Sequence, residues 1–207
     1  DVVAAFLGSL RERPIPLGET PGQVRAALGN SFLPEEGSPA QALLEETADL
    51  LLDHSLFNGH PRFWGYITAS PAPIGMFADL LAAAVNPNVG GWTISPAASE
   101  IEAETVRWIA QFIGYPDTCG GILVSGGNMA NLVGFFAARA AKATWPLQKE
   151  GVSAAGKGRL RAYASAETHT WIQKAADLAG LGTDAIRWIE VDASQRMRAD
   201  LLERQVA

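Results

Sequence analysis

The sequence has one cysteine, no long apolar run and no basic stripe, and each absence excludes a class of protein. Cys119 alone cannot form a disulfide within the chain. The most apolar stretch, residues 74–85, is interrupted by Asp79, whereas a membrane helix needs roughly 18 to 20 apolar residues. The 16 Lys and Arg residues are scattered among 22 Asp and Glu residues, which argues against a nucleic-acid surface. We therefore expect neither a membrane nor a nucleic acid among the partners.

The composition is typical of a globular protein in a reducing compartment. The 207 residues are 48% hydrophobic and 18% charged, which is enough apolar material for one sizeable core. With a single cysteine and no secretion signal in view, we expect a cytoplasmic protein. The chain begins at Asp1 and ends within a helix predicted from Ala199, so we expect it to be part of a longer domain.

The amino-terminal part, residues 1–90, is predicted to be a helical segment. Apolar residues recur at helical spacing between residues 3 and 10 and again between residues 41 and 56. The acidic residues of the second helix fall largely on its other side, and no converging set of ligands accompanies them. We interpret them as a solvated helix face and predict no metal site.

Beyond residue 90 the sequence predicts alternating strands and helices. A helix is predicted from Pro96, which follows Ser95, to a stop at Gly114. The predicted strands are residues 122–125, 160–165 and 186–191, and each is followed by a helix. This alternation favours right-handed crossovers and a mostly parallel sheet. Residues 91–207 are therefore predicted to be the first part of a larger α/β domain.

A glycine turn between the first predicted strand and its helix is the most informative motif. Ser125 ends the strand, Gly126 and Gly127 follow, and a helix is predicted from Asn128. Glycines let a ligand approach the backbone closely, and a helix N-terminus offers unpaired N–H groups and a positive dipole end. The motif predicts a phosphate site, although the same pattern also occurs as plain turn chemistry.

A histidine follows the second predicted strand at the corresponding place. His169 lies four residues after the strand that ends at Ser165. Carboxyl ends of neighbouring parallel strands lie at one edge of a sheet, so His169 and the glycine turn are expected at the same edge. An imidazole there can stack on an aromatic cofactor ring and transfer protons, or it can be an ordinary structural histidine.

Other polar residues are given structural interpretations. Glu100, Glu102 and Glu104 occupy the first turns of the helix from Pro96, where negative charge complements the helix dipole. His60, which precedes Pro61, is predicted to fix a turn. None of these residues is predicted to act as an acid or base.

Four motifs together resemble one enzyme family. They are the run His60 to Tyr66, residues 95–102, residues 120–132 and the run Tyr163 to His169. In this order and spacing the chain resembles the group II pyridoxal-phosphate-dependent amino acid decarboxylases, most closely the aromatic-L-amino-acid decarboxylase branch. The resemblance covers roughly residues 40–207. It implies a pyridoxal-phosphate-dependent transferase-like α/β fold (fold type I), with a mostly parallel sheet preceded by a helical segment.

The resemblance also implies roles for individual residues. Gly126, Gly127 and Asn128 would hold the phosphate of pyridoxal 5'-phosphate, with Asn128 standing where some relatives have serine. His169 would be the catalytic histidine that stacks on the cofactor ring and manages protons. Tyr66, Thr68 and Trp92 would line the substrate side. Tyr66 and Trp92 can also be read from the residues alone as core aromatics.

The lysine that binds the cofactor covalently is not expected in this chain. None of its four lysines stands in the His-Lys context of the family. The resemblance places that lysine, and an aspartate that pairs with the ring nitrogen, after residue 207. It therefore implies a lysine-bearing C-terminal half as partner, on the same or a second polypeptide. It also implies a homodimer of the assembled enzyme, with the helical segment of residues 1–90 as the dimerisation segment.

The expected activity is decarboxylation of an L-amino acid, aromatic by the closest resemblance, to the amine and carbon dioxide. Two alternatives stay open. One is a noncatalytic scaffold or partner subunit with the same fold. The other is an aminotransferase or an aldehyde-forming decarboxylase on that fold.

Overall fold

The computed structural model describes residues 1–15, 18–29, 32–116, 118–152 and 158–206. The chain forms two compact units, Asp1–Pro87 and Asn88–Ala207. Within the described ranges, every helix is too short or too polar to cross a membrane.

The first unit is helical, as the sequence predicts. Its helices are α1 (Val2–Ser9), α2 (Pro21–Leu28), α3 (Ala40–Asp53) and α4 (Pro73–Val85). Helix α2 begins with a capping box, because the Thr20 side chain accepts from the Gln23 N–H while the Gln23 side chain accepts from the Thr20 N–H. Pro21 occupies the first helical position, where its missing N–H costs nothing.

His60 fixes a turn in this unit, in agreement with the sequence interpretation. Its ring is buried, and Nδ1 accepts a hydrogen bond from the Arg62 N–H at 3.1 Å. Nε2 lies 3.2 Å from the Arg13 carbonyl oxygen and therefore carries the proton that it donates there. The Arg13 guanidinium in turn lies over the rings of Phe6 and Phe57, with its carbon 5.3 and 5.7 Å from their centroids. These contacts join the end of α1 to the turn.

Helix α4 presents apolar side chains without burying any residue. The exposed ones are Ile74, Phe77, Leu80, Leu81 and Val85. At about 3.6 residues per turn, these five positions fall within an arc of about 140° and so form one broad apolar face of the helix. Soluble proteins seldom leave so much contiguous apolar surface open to water, so this helix is a candidate contact surface.

The second unit alternates helices with short strands. Its elements are α5 (Pro96–Phe112), α6 (Gly127–Lys142), α7 (Leu147–Glu150), β1 (Ala162–Ser165), α8 (Trp171–Leu178), β2 (Ile186–Ile189) and α9 (Ala199–Val206). Single 3₁₀ turns precede α5 (Trp92–Ile94) and β2 (Thr183–Ala185). The helices predicted from Pro96 and Ala199 begin at those residues.

Strands β1 and β2 are parallel, and α8 lies between them in the chain. Their register pairs Ala162 with Ile186 and Ser165 with Ile189. The predicted parallel pairing is confirmed. The strand predicted at residues 122–125 is absent, because among the described residues no other strand pairs with that segment and a strand requires a ladder partner.

The core of the second unit lies between α6, α8 and the strands. It contains Ala164, Ile172, Ala176 and Ile186, with Phe135, Ala162 and Trp171 packed against it. Alanines on α8 let the helix approach the sheet closely. Phe135 and Trp171 meet edge to face, with ring centroids 6.3 Å apart.

Arg139 links the C-terminal ends of α6 and α8. Its Nη1 donates to the carbonyl oxygen of Ala179 at 2.6 Å, just after α8 ends. That oxygen is one of the last carbonyls of a helix, which have no partner within the helix itself. The guanidinium also lies over the Phe136 ring, 4.9 Å from its centroid. Helices α6 and α8 are thus held together at two places.

We expect Ile172→Ala to lower the free energy of unfolding by about 2 to 4 kcal/mol, because it opens a cavity in this core. Leu178→Ala on the same helix is the matched control, since Leu178 is 66% exposed and its truncation should cost below about 1 kcal/mol. Urea unfolding of both variants measures the difference. Equal losses would contradict the assignment of the core to the Ile172 face of α8.

Candidate functional site

The glycine turn has the geometry of an anion cradle. Gly126 adopts φ 92° and ψ 167°, a conformation that is left almost entirely to glycine. Its N–H donates to the Val124 carbonyl at 2.9 Å, which folds the chain sharply before α6 begins at Gly127. No described side chain caps the start of α6. Its first N–H groups therefore keep their capacity to bind an acceptor.

The space over this turn is open. Apart from the glycine itself, its chain neighbours and the adjoining backbone of α6, a Cβ atom built on Gly126 or Gly127 would have no heavy atom of the described residues within 4 Å. Both glycines and Asn128 are exposed. An anion can therefore reach the backbone N–H groups at the positive end of the 16-residue helix α6. These residues fit a phosphate group.

His169 lies between β1 and α8, in a turn held by backbone hydrogen bonds. Thr168 N–H donates to the Ser165 carbonyl at 2.9 Å, and Ala166 N–H donates to the Ile189 carbonyl at 2.8 Å. The His169 Nδ1 accepts from the Trp171 N–H at 3.2 Å. Since Nδ1 is an acceptor, the neutral ring carries its proton on Nε2. The imidazole is exposed, with its orientation set by the first residue of α8.

The glycine turn and His169 lie at the starts of two helices that pack against each other in the second unit. Helix α6 starts at Gly127 and α8 starts two residues after His169. The edge-to-face pair of Phe135 and Trp171 joins these helices. The placement of both groups at one edge of the sheet, with the ring of His169 over a cofactor, stays a prediction.

The predicted substrate residues are divided between the two units. Tyr66 and Thr68 lie in the first unit, both exposed, and Tyr66 has φ 58° in the left-handed region. Trp92 lies in the second unit, in the turn before α5. Tyr66 is 91% exposed and Trp92 60% exposed, so neither is a core aromatic within the part of the chain that the structure describes. Their substrate role stays a prediction.

The three glutamates at the start of α5 each have a different partner. Glu100 Oε1 accepts from the Trp92 indole N–H at 2.8 Å, and Glu102 Oε1 accepts from the Leu123 backbone N–H at 2.8 Å. Glu104 pairs with Arg107 on its own helix, and the hydrogen bond from that guanidinium lowers the pKa of Glu104. The sequence interpretation of all three as dipole-complementing charges missed the first two contacts. The spacing of the glutamates along α5 cannot indicate partners that lie outside that helix.

A cavity of about 400 Å³ lies between α6, β1 and α8. Its polar lining includes Arg139, Lys142, Arg161, Ser165 and Thr168. Neither the glycine turn nor His169 lines it. Strand β1 has β2 on one side only among the described residues, so the cavity lies in the region of an incomplete sheet. We therefore do not assign it to the cofactor. The described residues also hold no group of three or more His, Cys, Asp or Glu residues suited to a metal ion.

Comparison with known proteins identifies one family. The model described as "Pyridoxal-dependent decarboxylase conserved domain" matches residues 21–207. This range contains every residue that the sequence predicts for the site.

Curated relatives carry the same type of activity in their names. The chain is 28% identical to an L-2,4-diaminobutyrate decarboxylase of Acinetobacter baumannii over 218 residues, which covers 100% of this chain and 42% of the relative. It is 28% identical to an aromatic-L-amino-acid decarboxylase of Bacillus atrophaeus over 211 residues, covering 100% and 41%. It is 31% identical to an acidic amino acid decarboxylase of Homo sapiens over 172 residues, covering 83% and 32%. The chain thus spans less than half the length of each of these relatives.

Solved structures share the fold. Mouse CSAD matches with a TM-score of 0.86 at 23% identity, over 99% of this chain and 43% of its own. Oryza sativa TDC, solved with PLP and tryptamine, matches with a TM-score of 0.82 at 28% identity, over 98% of this chain and 42% of its own. The predicted fold class, fold type I with an amino-terminal helical segment, is confirmed.

We expect Gly127→Asp to stabilise the protein slightly and to weaken pyridoxal phosphate binding at least about tenfold. A carboxylate in the first turn of α6 complements the helix dipole by about 0.3 to 1 kcal/mol, yet it repels a phosphate held by the same N–H groups. Gly22→Asp, in the first turn of α2, is the control, since it offers a similar stabilisation with no expected effect on the cofactor. Thermal unfolding and cofactor titration measure the two effects. An unchanged cofactor affinity in Gly127→Asp would contradict the cradle.

Proposed function

We propose, since the chain belongs to the pyridoxal-dependent decarboxylase family, that it provides the phosphate cradle and the ring-facing imidazole of an amino acid decarboxylase. The reaction removes the carboxyl group of an L-amino acid as carbon dioxide and leaves the amine. The observation that carries the proposal is the start of α6. There a positive-φ glycine precedes a helix whose first N–H groups have no side-chain cap among the described residues.

The cradle binds the phosphate through the backbone of Gly126 and Gly127 and through the side chain of Asn128. Two features support this assignment. The open space over both glycines lets the anion come within hydrogen-bond distance of the backbone. The exposed amide of Asn128, in the first turn of α6, adds a donor at the same helix end.

His169 acts as the catalytic residue of this half. Pyridoxal phosphate, when bound, supplies a ring that withdraws the electron pair left by the departing carboxyl group. The Trp171 N–H occupies Nδ1 of His169, so Nε2 is the atom that would hold or deliver a proton. The side chain is exposed, so its ring would be free to cover one side of the cofactor.

Tyr66, Thr68 and Trp92 are the residues that we propose for binding the substrate. The Thr68 hydroxyl offers a donor to the substrate carboxylate, and the two aromatic rings offer flat apolar walls. The indole of Trp92 is oriented by its hydrogen bond to Glu100. These aromatic walls favour an aromatic amino acid as substrate. The name of the Bacillus atrophaeus relative agrees with this choice, whereas the names of the other two relatives point to diaminobutyrate and to acidic amino acids.

The active enzyme also requires a lysine-bearing C-terminal half. The lysine that binds the cofactor and the aspartate that pairs with its ring nitrogen belong to that half, on the same or a second polypeptide. The share of the relatives' length that this chain spans, 42% for the Acinetobacter baumannii relative, supports the proposal. Residues 91–207 form the first part of the cofactor domain in this proposal.

We also propose that the enzyme is cytoplasmic.

The decisive experiment follows the cofactor in the intact purified protein. We expect an absorption band in the visible range after addition of pyridoxal phosphate, and its loss on treatment with borohydride. Mass spectrometry of the reduced protein then identifies the modified lysine and the polypeptide that carries it. A colourless protein that binds no cofactor would overturn the proposal in favour of a scaffold.

Product analysis tests the reaction type in the same preparation. Incubation with L-tryptophan or L-tyrosine should give the amine and carbon dioxide. An aldehyde or a keto acid as main product would instead show an aldehyde-forming decarboxylase or an aminotransferase. Faster turnover of L-2,4-diaminobutyrate or L-glutamate would contradict the aromatic substrate while leaving decarboxylation intact.

We expect the enzyme to be a homodimer in which residues 1–90, and α4 in particular, contact the second copy. The exposed apolar residues of α4 support this. Leu81→Arg should shift the protein towards a monomer in sedimentation velocity at micromolar concentration, because it buries a charge in the contact. Glu46→Arg, an exposed position on α3, is the control that should remain dimeric. A monomeric unmodified protein would contradict the prediction.

A further inference from the structure

We propose that Glu102 is a positioning residue of the phosphate cradle. Its carboxylate fixes the segment of residues 121–124, which leads directly into Gly126. The inference rests on the proposed function, because it concerns the same phosphate site. It assigns a role to a glutamate whose sequence position suggests only a favourable charge near a helix start.

The first contact is a hydrogen bond from the backbone of the segment. Glu102 Oε1 accepts from the Leu123 N–H at 2.8 Å. Leu123 lies three residues before Gly126, so the bond holds the chain just ahead of the turn. A carboxylate acceptor makes this a charge-assisted bond, which is stronger than one between neutral groups.

The second contact is steric and lies on the same face of α5. A Cβ atom on Gly121 would lie 2.7 Å from Val106 Cγ1, so the glycine lets the segment pass directly over that side chain. Val106 follows Glu102 by one helical turn. Gly121 therefore gives the segment its close approach, and Val106 fixes its distance from the helix.

The two contacts are consistent with a single path of residues 121–124 along α5. Four residues of helix rise about 6 Å, and two residues of extended chain span about 6.6 Å. Glu102 meets Leu123, whereas the later Val106 meets the earlier Gly121. The segment thus runs antiparallel to α5, with matching spacing at both contacts.

The hydrogen bond matters because other anchors are scarce. Among the described residues no strand pairs with residues 121–124. Without the Glu102 carboxylate, the Leu123 N–H loses the partner that sets its position, and the turn at Gly126 gains freedom. Ordering that turn again on binding costs phosphate affinity.

The test compares two ligands that differ only in the phosphate. Pyridoxal phosphate and pyridoxal are titrated into the intact protein and into Glu102→Ala, Glu102→Asp and Glu102→Gln. Glu102→Asp keeps the charge but is one methylene too short to reach Leu123, whereas Glu102→Gln keeps an oxygen at the right distance. Glu104→Ala is the matched control, because Glu104 pairs only within its own helix in the contacts described.

We expect Glu102→Ala and Glu102→Asp to bind pyridoxal phosphate about tenfold more weakly, and Glu102→Gln about threefold more weakly. Glu104→Ala should stay within about twofold of the unmodified protein. Pyridoxal affinity should be unchanged in every variant. This selectivity for the phosphate is a readout that a general structural role would not produce.

Two results would overturn the inference. One is an equal loss of affinity for both ligands, which would show a general structural role. The other is unchanged affinity for pyridoxal phosphate in Glu102→Asp and Glu102→Ala. The Gly127→Asp variant separates these failures from a failure of the cradle itself. If Gly127→Asp weakens the cofactor and Glu102→Ala does not, only the positioning role is wrong.

Discussion

The start of helix α6 is the constraint on which the second unit depends. A glycine at φ 92° turns the chain, and the helix then begins without a side-chain cap among the described residues. From this point α6 extends to the core, where Phe135 meets Trp171, and on to Arg139, which binds the end of α8. The placement of the turn is therefore coupled to the helix that orients His169.

Every helix that the sequence predicts is present, although α2, α4 and α7 were not predicted individually, whereas one of the three predicted strands is absent. The reason for this difference is the range of the hydrogen bonds. Helix α5 follows from Pro96 and Gly114, because each helical hydrogen bond spans only four residues. Strands β1 and β2 follow because each supplies the other's ladder. The predicted strand at residues 122–125 has the right composition but no described neighbour. Composition cannot reveal where a neighbour lies.

The backbone conformation of the candidate site could be predicted from the sequence. The contacts that distant side chains make with it could not. The conformation of Gly126 could be expected from the diglycine before a helix. The contact of Glu102 with Leu123 joins positions 21 residues apart, so it depends on the path of the whole connection. The exposure of Trp92 depends in the same way on the tertiary environment. The resemblance to a family supplied the role that we propose for His169, which its spacing alone left open.

His60 connects two distant stretches of the first unit through a single ring. One ring nitrogen accepts from the Arg62 N–H, and the other donates to the carbonyl of Arg13, which lies 47 residues earlier in the chain. A side chain that only donates or only accepts would satisfy one of these backbone groups and leave the other unpaired next to a buried residue. The junction between the end of α1 and the His60 turn therefore requires a residue that does both at once.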